Sequence, residues 1–208
     1  MIKDIKKMKK KDMLYIIVPP LIQSGLYFIS KLFVSNPHLI GWEIDRKTPF
    51  IPQFVYFYVL WYILLVGVPY LLFKYDKEKR DKYCFIYILS GIIAFITFLV
   101  YPTTIETAKF EVHNLSTWIM SLVYFFDQPT LNCLPSIHCT NCIIWIIMIG
   151  FNKKMPKWIR ISLSIFCVIV MFSVLFIKQH VLIDIIGAAV TVVLCYIVYY
   201  VYKKIRKK

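Results

Sequence analysis

The chain has 208 residues, of which 60% are hydrophobic and 17% are aromatic. A soluble domain of this size needs more polar surface to cover itself, so the composition excludes an ordinary soluble protein. The formal net charge is +14, but the basic residues occur in short clusters between long apolar runs. This pattern is typical of membrane flanks that face anionic headgroups. We therefore predict an integral membrane protein that contacts membrane lipids, and we expect no nucleic-acid partner.

Six apolar runs approach the roughly 20 residues that a helix needs to cross a hydrocarbon core of about 30 Å. They are residues 14–34, 54–73, 83–101, 138–151, 161–177 and 181–202. The fourth run is short, and we expect its helix to start at Pro135, because proline is favoured in a first helical turn. Residues 115–126 are apolar but too few to cross, which indicates an interfacial or re-entrant helix. The sequence thus predicts an all-α bundle of six transmembrane helices with a short extracytoplasmic interfacial helix.

The segments between these runs differ sharply in their content of Lys and Arg. Twenty of the 25 basic residues lie in segments on the same side as the N-terminus, and four lie on the other side. Cytoplasmic segments carry an excess of Lys and Arg, so both termini are predicted to be cytoplasmic. We interpret residues 1–208 as a single membrane domain with basic tails at 1–12 and 203–208. Residues 102–188 carry the chemical motifs, which face the extracytoplasmic side.

Two histidines lie at the extracytoplasmic mouths of predicted spans: His138 before the fourth and His180 before the sixth. Asp184 follows His180 by four residues, so both side chains lie on one face of a helix. An aspartate about one turn inside an apolar helix is costly and usually has a partner. Here it can fix the tautomer of the His180 imidazole and stabilise its positive charge.

These groups fit chemistry on a phosphate. His180 would attack phosphorus as a nucleophile, and His138 would protonate the departing oxygen as a general acid. Ser136 and the free N–H groups at the start of the fourth helix would bind the anion. Lys178 would add positive charge near the phosphate oxygens. The sequence therefore predicts His180, His138 and Asp184 as catalytic residues, with phosphate-binding groups beside them.

The motifs Pro135-Ser136-x-His138 and His180-x-x-x-Asp184, with Ser173 between them, resemble those of the type 2 phosphatidic acid phosphatase superfamily. Four further motifs resemble its inositol-phosphorylceramide-synthase-like branch: Tyr101-Pro102-Thr103, Asp127-x-Pro129, Asn132-Cys133-x-Pro135-Ser136-x-His138 and Lys178-Gln179-His180. The resemblance implies a metal-independent reaction through a phosphohistidine on a phosphorylated lipid, with no cofactor. It also implies that His180 is the nucleophile, His138 the acid, Asp184 the orienting group and Ser136 a phosphate ligand.

Two positions depart from the family's pattern. Thr107-Ala108 stands where the family usually has an Arg-Pro pair, and the neighbouring Lys109 is our candidate for the phosphate ligand there. Val174 stands where the family usually has an arginine, and Lys178 is our candidate to replace it. Lysine is a point charge without arginine's bidentate fork, so each replacement changes the phosphate-binding geometry.

Two questions of function stay open at this point. Water and an alcohol are both suitable acceptors for a phosphohistidine, and we rank hydrolysis first because it needs no second substrate pocket. The alternative function is that of a non-catalytic or degenerate membrane relative that binds or transports lipid phosphates. The two missing arginines motivate that alternative.

The six cysteines allow three interpretations. Cys139-x-x-Cys142 has the spacing of half a zinc or redox site, but no second pair of cysteines completes it. Cys133 and Cys139 could form an extracytoplasmic disulfide. The third interpretation, which we prefer, is that the cysteines are small apolar packing residues and that no metal is bound.

Overall fold

The computed structural model describes residues 10–206, and these residues form an almost entirely helical bundle. The helices are α1 Lys10–Lys31, α2 Glu43–Lys47, α3 Val55–Tyr75, α4 Arg80–Val100, α5 Leu115–Asp127, α6 Ile137–Gly150, α7 Lys157–Phe176 and α8 Leu182–Ile205. Short 3-10 turns at Pro52–Phe54 and Lys77–Lys79 precede α3 and α4. Two strands of two residues, β1 His38–Leu39 and β2 Thr103–Thr104, pair in parallel. The all-α prediction is confirmed. Most of the predicted N-terminal tail, and Lys207 and Lys208 of the C-terminal one, lie outside the described residues.

Five helical segments in the described part of the chain are long and apolar enough to cross a membrane. They are Asp12–Lys31, Pro52–Tyr75, Lys77–Val100, Lys157–Phe176 and Leu182–Ile205. These segments indicate a multi-pass membrane protein, as the composition predicts. The fourth predicted span corresponds to α6, which begins two residues after Pro135 and has 14 residues. At 1.5 Å per residue α6 is about 21 Å long, which is shorter than a hydrocarbon core of about 30 Å.

A polar network joins three helices inside the bundle. The amide nitrogen of Asn141 in α6 donates to Gln23 Oε1 in α1 at 2.8 Å and to the Tyr87 hydroxyl in α4 at 2.7 Å. Gln23 in turn donates to Ser90 Oγ in α4 at 3.4 Å. Buried polar groups are costly unless they are paired, so this network favours one arrangement of α1, α4 and α6 over others. Asn141 lies one turn after His138, and the network therefore also fixes the start of α6.

Ion pairs tie the helices together at the end of the bundle opposite the histidines. Lys154, between α6 and α7, lies 2.9 Å from Asp76 and 2.7 Å from Glu78, which follow α3. Arg80 at the start of α4 pairs with Asp12 of α1, which is only 2% exposed. These contacts connect neighbouring helices where their basic flanks meet.

At the histidine end, Thr103 holds the loop that leads into α6. Its hydroxyl accepts hydrogen bonds from the backbone N–H groups of Cys133 at 3.0 Å and Leu134 at 3.1 Å. Its carbonyl oxygen accepts from the N–H of Asn132 at 2.7 Å, and Asn132 has a φ of 58°. Thr103 is fully buried. A residue of the Tyr-Pro-Thr motif therefore shapes the segment that carries Pro135 and His138.

We expect Thr103→Val to destabilise the protein by about 1–3 kcal/mol, because it leaves two buried N–H groups without an acceptor. In a chain of this length that corresponds to a fall of several degrees in the thermal unfolding midpoint, measured in detergent. Thr107→Val is the matched control, because the Thr107 side chain is only half-buried and accepts from neither the Cys133 nor the Leu134 N–H. Equal midpoints for the two variants would contradict this role for Thr103.

Candidate active site

The His180 side chain is tied to a buried aspartate. Asp184 Oδ2 lies 3.0 Å from His180 Nδ1 and also accepts from the Val181 N–H at 3.1 Å. Asp184 is fully buried in the first turn of α8, where the helix dipole favours a negative charge. Its second oxygen, Oδ1, is buried without a hydrogen-bond partner. The buried carboxylate is therefore stabilised most when the His180 imidazole carries a positive charge. Because Nδ1 contacts Asp184, Nε2 is the His180 nitrogen that is left to react.

His138 lies next to His180, at the start of α6. The centroids of the two imidazole rings are 5.7 Å apart, with an interplanar angle of 60°. The Ser136 N–H donates to the main-chain oxygen of Asp184 at 3.2 Å, which joins the start of α6 to the start of α8. The Leu134 side chain packs against Gly187 of α8, in the space that a Cβ would occupy there. The structure thus brings together all three predicted catalytic residues.

Aromatic side chains of α3 surround the His138 ring. The ring centroids of Trp61 and Tyr58 lie 4.1 Å and 4.6 Å from that of His138, and that of Tyr62 lies 6.2 Å away. Both His138 ring nitrogens are buried and have no hydrogen-bond partner among the described residues. Aromatic faces carry negative charge density and attract cations. This enclosure therefore excludes water from the ring, and the aromatic faces offset part of the cost of burying a protonated imidazole there.

A cavity of about 540 Å³ lies beside the two histidines. Both rings line it, together with side chains from α1, α3 and α5 that are mostly apolar: Tyr27, Phe28, Val59, Ile119, Leu122, Val123 and Phe126. Phe28 and Phe126 are also 61% and 76% exposed on the outside of the bundle. The cavity therefore connects the histidines to the outer surface of the helices, and its lining suits a hydrocarbon chain.

A second cavity of about 270 Å³ lies on another side of His180. Its lining is more polar and includes Trp42, Arg46, Glu106 and Lys178. Arg46 Nε lies 3.7 Å from Glu106 Oε2, and both side chains are largely exposed. His180 therefore lies between an apolar compartment and a polar one and lines both.

The short helix α2 is fastened to the turn that carries His180. Asp45 Oδ1 accepts from the Leu182 N–H at 2.8 Å, so a residue distant in sequence caps α8. The main-chain oxygen of Asp45 accepts from Lys178 Nζ at 2.5 Å. Burial lowers the pKa of the Lys178 ammonium below its ordinary value. The carboxylates of Asp45 and Glu106 oppose this shift only in part. Sequence reasoning missed Asp45, because a single aspartate in a polar loop has no local signature.

The predicted phosphate ligands differ in their positions. Lys178 lines the polar cavity beside His180. Ser136 is fully buried as the N-cap of α6, where its hydroxyl accepts from the Cys139 N–H at 3.2 Å, and it lines neither cavity. Lys109 is exposed in the loop before α5 and also lines neither cavity. Of the three, only Lys178 lines a cavity that a histidine also lines.

All six cysteines lie within the described residues, as free thiols, and five of them are buried. Cys139 and Cys142 are both fully buried in α6 and pack against apolar neighbours. Among residues 10–206, no group of three or more His, Cys, Asp or Glu side chains is arranged to hold a metal ion.

Comparison with known proteins adds no relative to this picture. No protein-family model matches the chain, and neither a curated protein nor a solved structure matches it.

Lys178 adopts a φ of 54°, in the left-handed region that favours glycine. We expect Lys178→Gly to be more stable than Lys178→Ala by about 1 kcal/mol, because only alanine keeps a strained Cβ there. Thermal unfolding of both variants in detergent measures the difference. Both lack the ammonium group, so any loss of function that they share reports the charge and not the turn. If the alanine variant were as stable as the glycine variant, a Cβ at position 178 would not be strained.

Proposed function

We propose that the protein is a metal-independent membrane lipid phosphatase or phosphotransferase that acts through a phosphohistidine. The observation that carries the proposal is the arrangement of His180, paired with the fully buried Asp184, within 5.7 Å of His138, measured between ring centroids. A phosphate fits between a nucleophilic imidazole and a proton-donating one. The resemblance of the motifs to the type 2 phosphatidic acid phosphatase superfamily and its inositol-phosphorylceramide-synthase-like branch is part of the proposal.

The reaction proceeds in two steps. First, His180 Nε2 forms a bond to phosphorus while the bond between phosphorus and the leaving oxygen breaks, and His138 gives its proton to that oxygen. Second, neutral His138 accepts a proton from water or an alcohol, whose oxygen bonds to phosphorus while the phosphorus–nitrogen bond breaks. Asp184 holds the His180 tautomer and stabilises its positive charge in both steps.

The two cavities support a lipid substrate and a polar acceptor. The apolar cavity reaches the outside of the bundle between α1, which is long enough to span a membrane, and the shorter α5, so a lipid chain can enter it laterally. The polar cavity gives water or a hydrophilic alcohol a separate approach to His180. A transferase needs a second compartment to hold its acceptor. With this cavity present, we rank transfer to an alcohol equally with hydrolysis.

We further propose the finer topology that the sequence predicts. In this topology α6, extended by its flanking loops, acts as the fourth of six spans, and α5 lies at the membrane interface. The asymmetry of basic residues supports cytoplasmic termini and an extracytoplasmic site. α1, α3 and α5 border the apolar cavity, and the exposed aromatic side chains at the end of α5 suit an interfacial position.

One observation favours the alternative, a non-catalytic relative that binds or transports lipid phosphates. Thr107-Ala108 and Val174 stand where the family has arginines, and Lys109 lies away from both cavities. Such a protein would bind a lipid phosphate without turnover and without a phosphohistidine. The experiments below separate it from the enzyme.

We expect the wild-type protein, in detergent with a chelator, to release phosphate from at least one of three lipids: phosphatidic acid, phosphatidylglycerol phosphate or a polyprenyl pyrophosphate. His180→Ala should lower the rate by about a thousandfold or more, because the nucleophile is lost. An alkaline quench should trap a phosphohistidine in the wild type alone. His113→Ala is the matched control, since His113 is exposed and lines neither cavity. Activity that survives unchanged in His180→Ala would end the proposal, as would a wild type inert on all three lipids.

We expect His138→Asn to lower kcat/KM by about 10²–10⁴-fold on an alkyl phosphate, because the leaving alkoxide then lacks its proton donor. A nitrophenyl phosphate leaves without protonation, so its loss should be far smaller in the same variant. The ratio of the two kcat/KM values, compared with the wild-type ratio, is the measurement. Because both substrates report on one protein preparation, a folding defect cancels. Equal losses on both substrates would show that His138 is not the acid.

A further inference from the structure

Gln179 lies between Lys178 and His180, in the turn that joins α7 to α8. The side chain is almost fully buried, with 3% exposure, and it lines the apolar cavity together with His138 and His180. Its amide nitrogen has no hydrogen-bond partner among the described residues. Buried side-chain donors are nearly always paired in folded proteins, so an unpaired one in a cavity wall indicates a ligand that accepts from it.

The backbone fixes the position of this amide. The N–H groups of Gln179 and His180 both donate to the Val174 carbonyl oxygen, at 3.0 Å and 3.1 Å. Gln179 therefore cannot swing away without unwinding the end of α7. The same turn orients His180, so the glutamine amide and the reactive imidazole are held together as one unit.

The neighbouring Tyr124 does not satisfy the amide. Its hydroxyl donates to the Ile177 carbonyl oxygen at 3.0 Å and accepts from the Ala108 N–H at 3.3 Å. Burial raises the pKa of Tyr124, and the Ala108 N–H and the Gln179 amide lower it only in part. The Gln179 amide nitrogen carries two N–H groups and the Tyr124 hydroxyl could accept from only one of them, so at least one N–H remains available to a ligand.

The start of α6 supplies further donors on the same cavity. The Cys139 N–H is bound by Ser136 Oγ, and the Thr140 N–H by the Ser136 carbonyl oxygen. The N–H groups of Ile137 and His138 precede the first helical bond, so they have no acceptor within α6. Both residues line the apolar cavity. An anion there would meet backbone donors from α6 on one side and the Gln179 amide on another.

We propose that Gln179 is a phosphate ligand of the reaction centre, donating from Nε2 to an oxygen of the phosphoryl group that His180 attacks. This inference rests on the proposed function and names the group that takes over from the missing arginines. A neutral amide suits an apolar cavity, because it binds the developing charge without requiring a buried cation of its own. Such a fixed donor acts most strongly on the transition state.

The test compares Gln179→Met with Gln53→Met in full-length protein in detergent. Methionine keeps the length of the side chain and removes the donor, and Gln53 is an exposed glutamine that lines neither cavity. Removal of one such donor from an enzyme typically lowers kcat by about 10²–10³-fold. We expect Gln179→Met to lose about 100-fold in kcat with little change in KM, and to lose affinity for orthovanadate, which mimics the transition state. Gln53→Met should match the wild type in kcat, in KM and in orthovanadate affinity.

Orthovanadate binding is also measured by calorimetry, without turnover, so that the inference and the proposed function can fail separately. In one outcome the wild type binds vanadate but releases no phosphate, and Gln179→Met does not bind vanadate. This outcome supports Gln179 as a phosphate ligand and contradicts the proposed enzymatic function. In another outcome Gln179→Met keeps the turnover and the vanadate affinity of the wild type within about twofold. This outcome overturns the ligand role of Gln179 and leaves the proposed enzymatic function intact. A wild type that neither turns over nor binds vanadate overturns both.

If Gln179→Met unfolds, Gln179→Glu serves as the second variant, because glutamate has the shape of glutamine. A carboxylate has no N–H and repels the phosphate, so vanadate affinity should fall further than in the methionine variant. Part of it should return at low pH, where the carboxyl group regains a proton to donate. Wild-type affinity in Gln179→Glu at neutral pH would overturn the ligand role.

Discussion

Asp184 joins the two segments that carry the histidines, and the candidate site depends on its hydrogen bonds. Its carboxylate binds the His180 ring and the N–H that begins α8, and its main-chain oxygen accepts from Ser136 at the start of α6. A buried carboxylate is stable only with partners close at hand, so these contacts form together or not at all. One residue therefore sets the orientation of His180 and its distance from His138.

The two histidines lie where an apolar cavity and a more polar cavity meet. The apolar cavity is bordered by α1, α3 and α5, and the polar cavity lies beside α2 among charged side chains. A phosphorylated lipid has the same division, with a hydrocarbon part and a charged part joined at phosphorus. The place in the protein where polarity changes coincides with His180, the imidazole that we propose attacks phosphorus. This coincidence gives the phosphate proposal more weight than the two histidines would have alone.

The parts of the structure that sequence predicted are those that local chemistry controls. Hydropathy identified the long helices, and the spacing of four residues placed Asp184 beside His180. The proximity of His138 followed from assigning the two helix mouths to one membrane face. The predicted roles of Ser136 and Lys109 have less support, because capping uses the serine and the loop geometry carries the lysine away. The aromatic enclosure from α3 was not predicted, since aromatic residues in an apolar run indicate only a span.

The turn from α7 to α8 explains why the remaining residues could not be predicted. Lys178, Gln179 and His180 are consecutive, yet the first reaches α2 in the polar cavity and the second lines the apolar cavity. His180 lies between them and lines both. Three adjacent side chains diverge this way because Lys178 adopts a positive φ, which a sequence signals only when glycine is present. The turn accepts the strain of a lysine at that position and thereby places an ammonium group in the polar cavity, an amide in the apolar cavity and the imidazole between them.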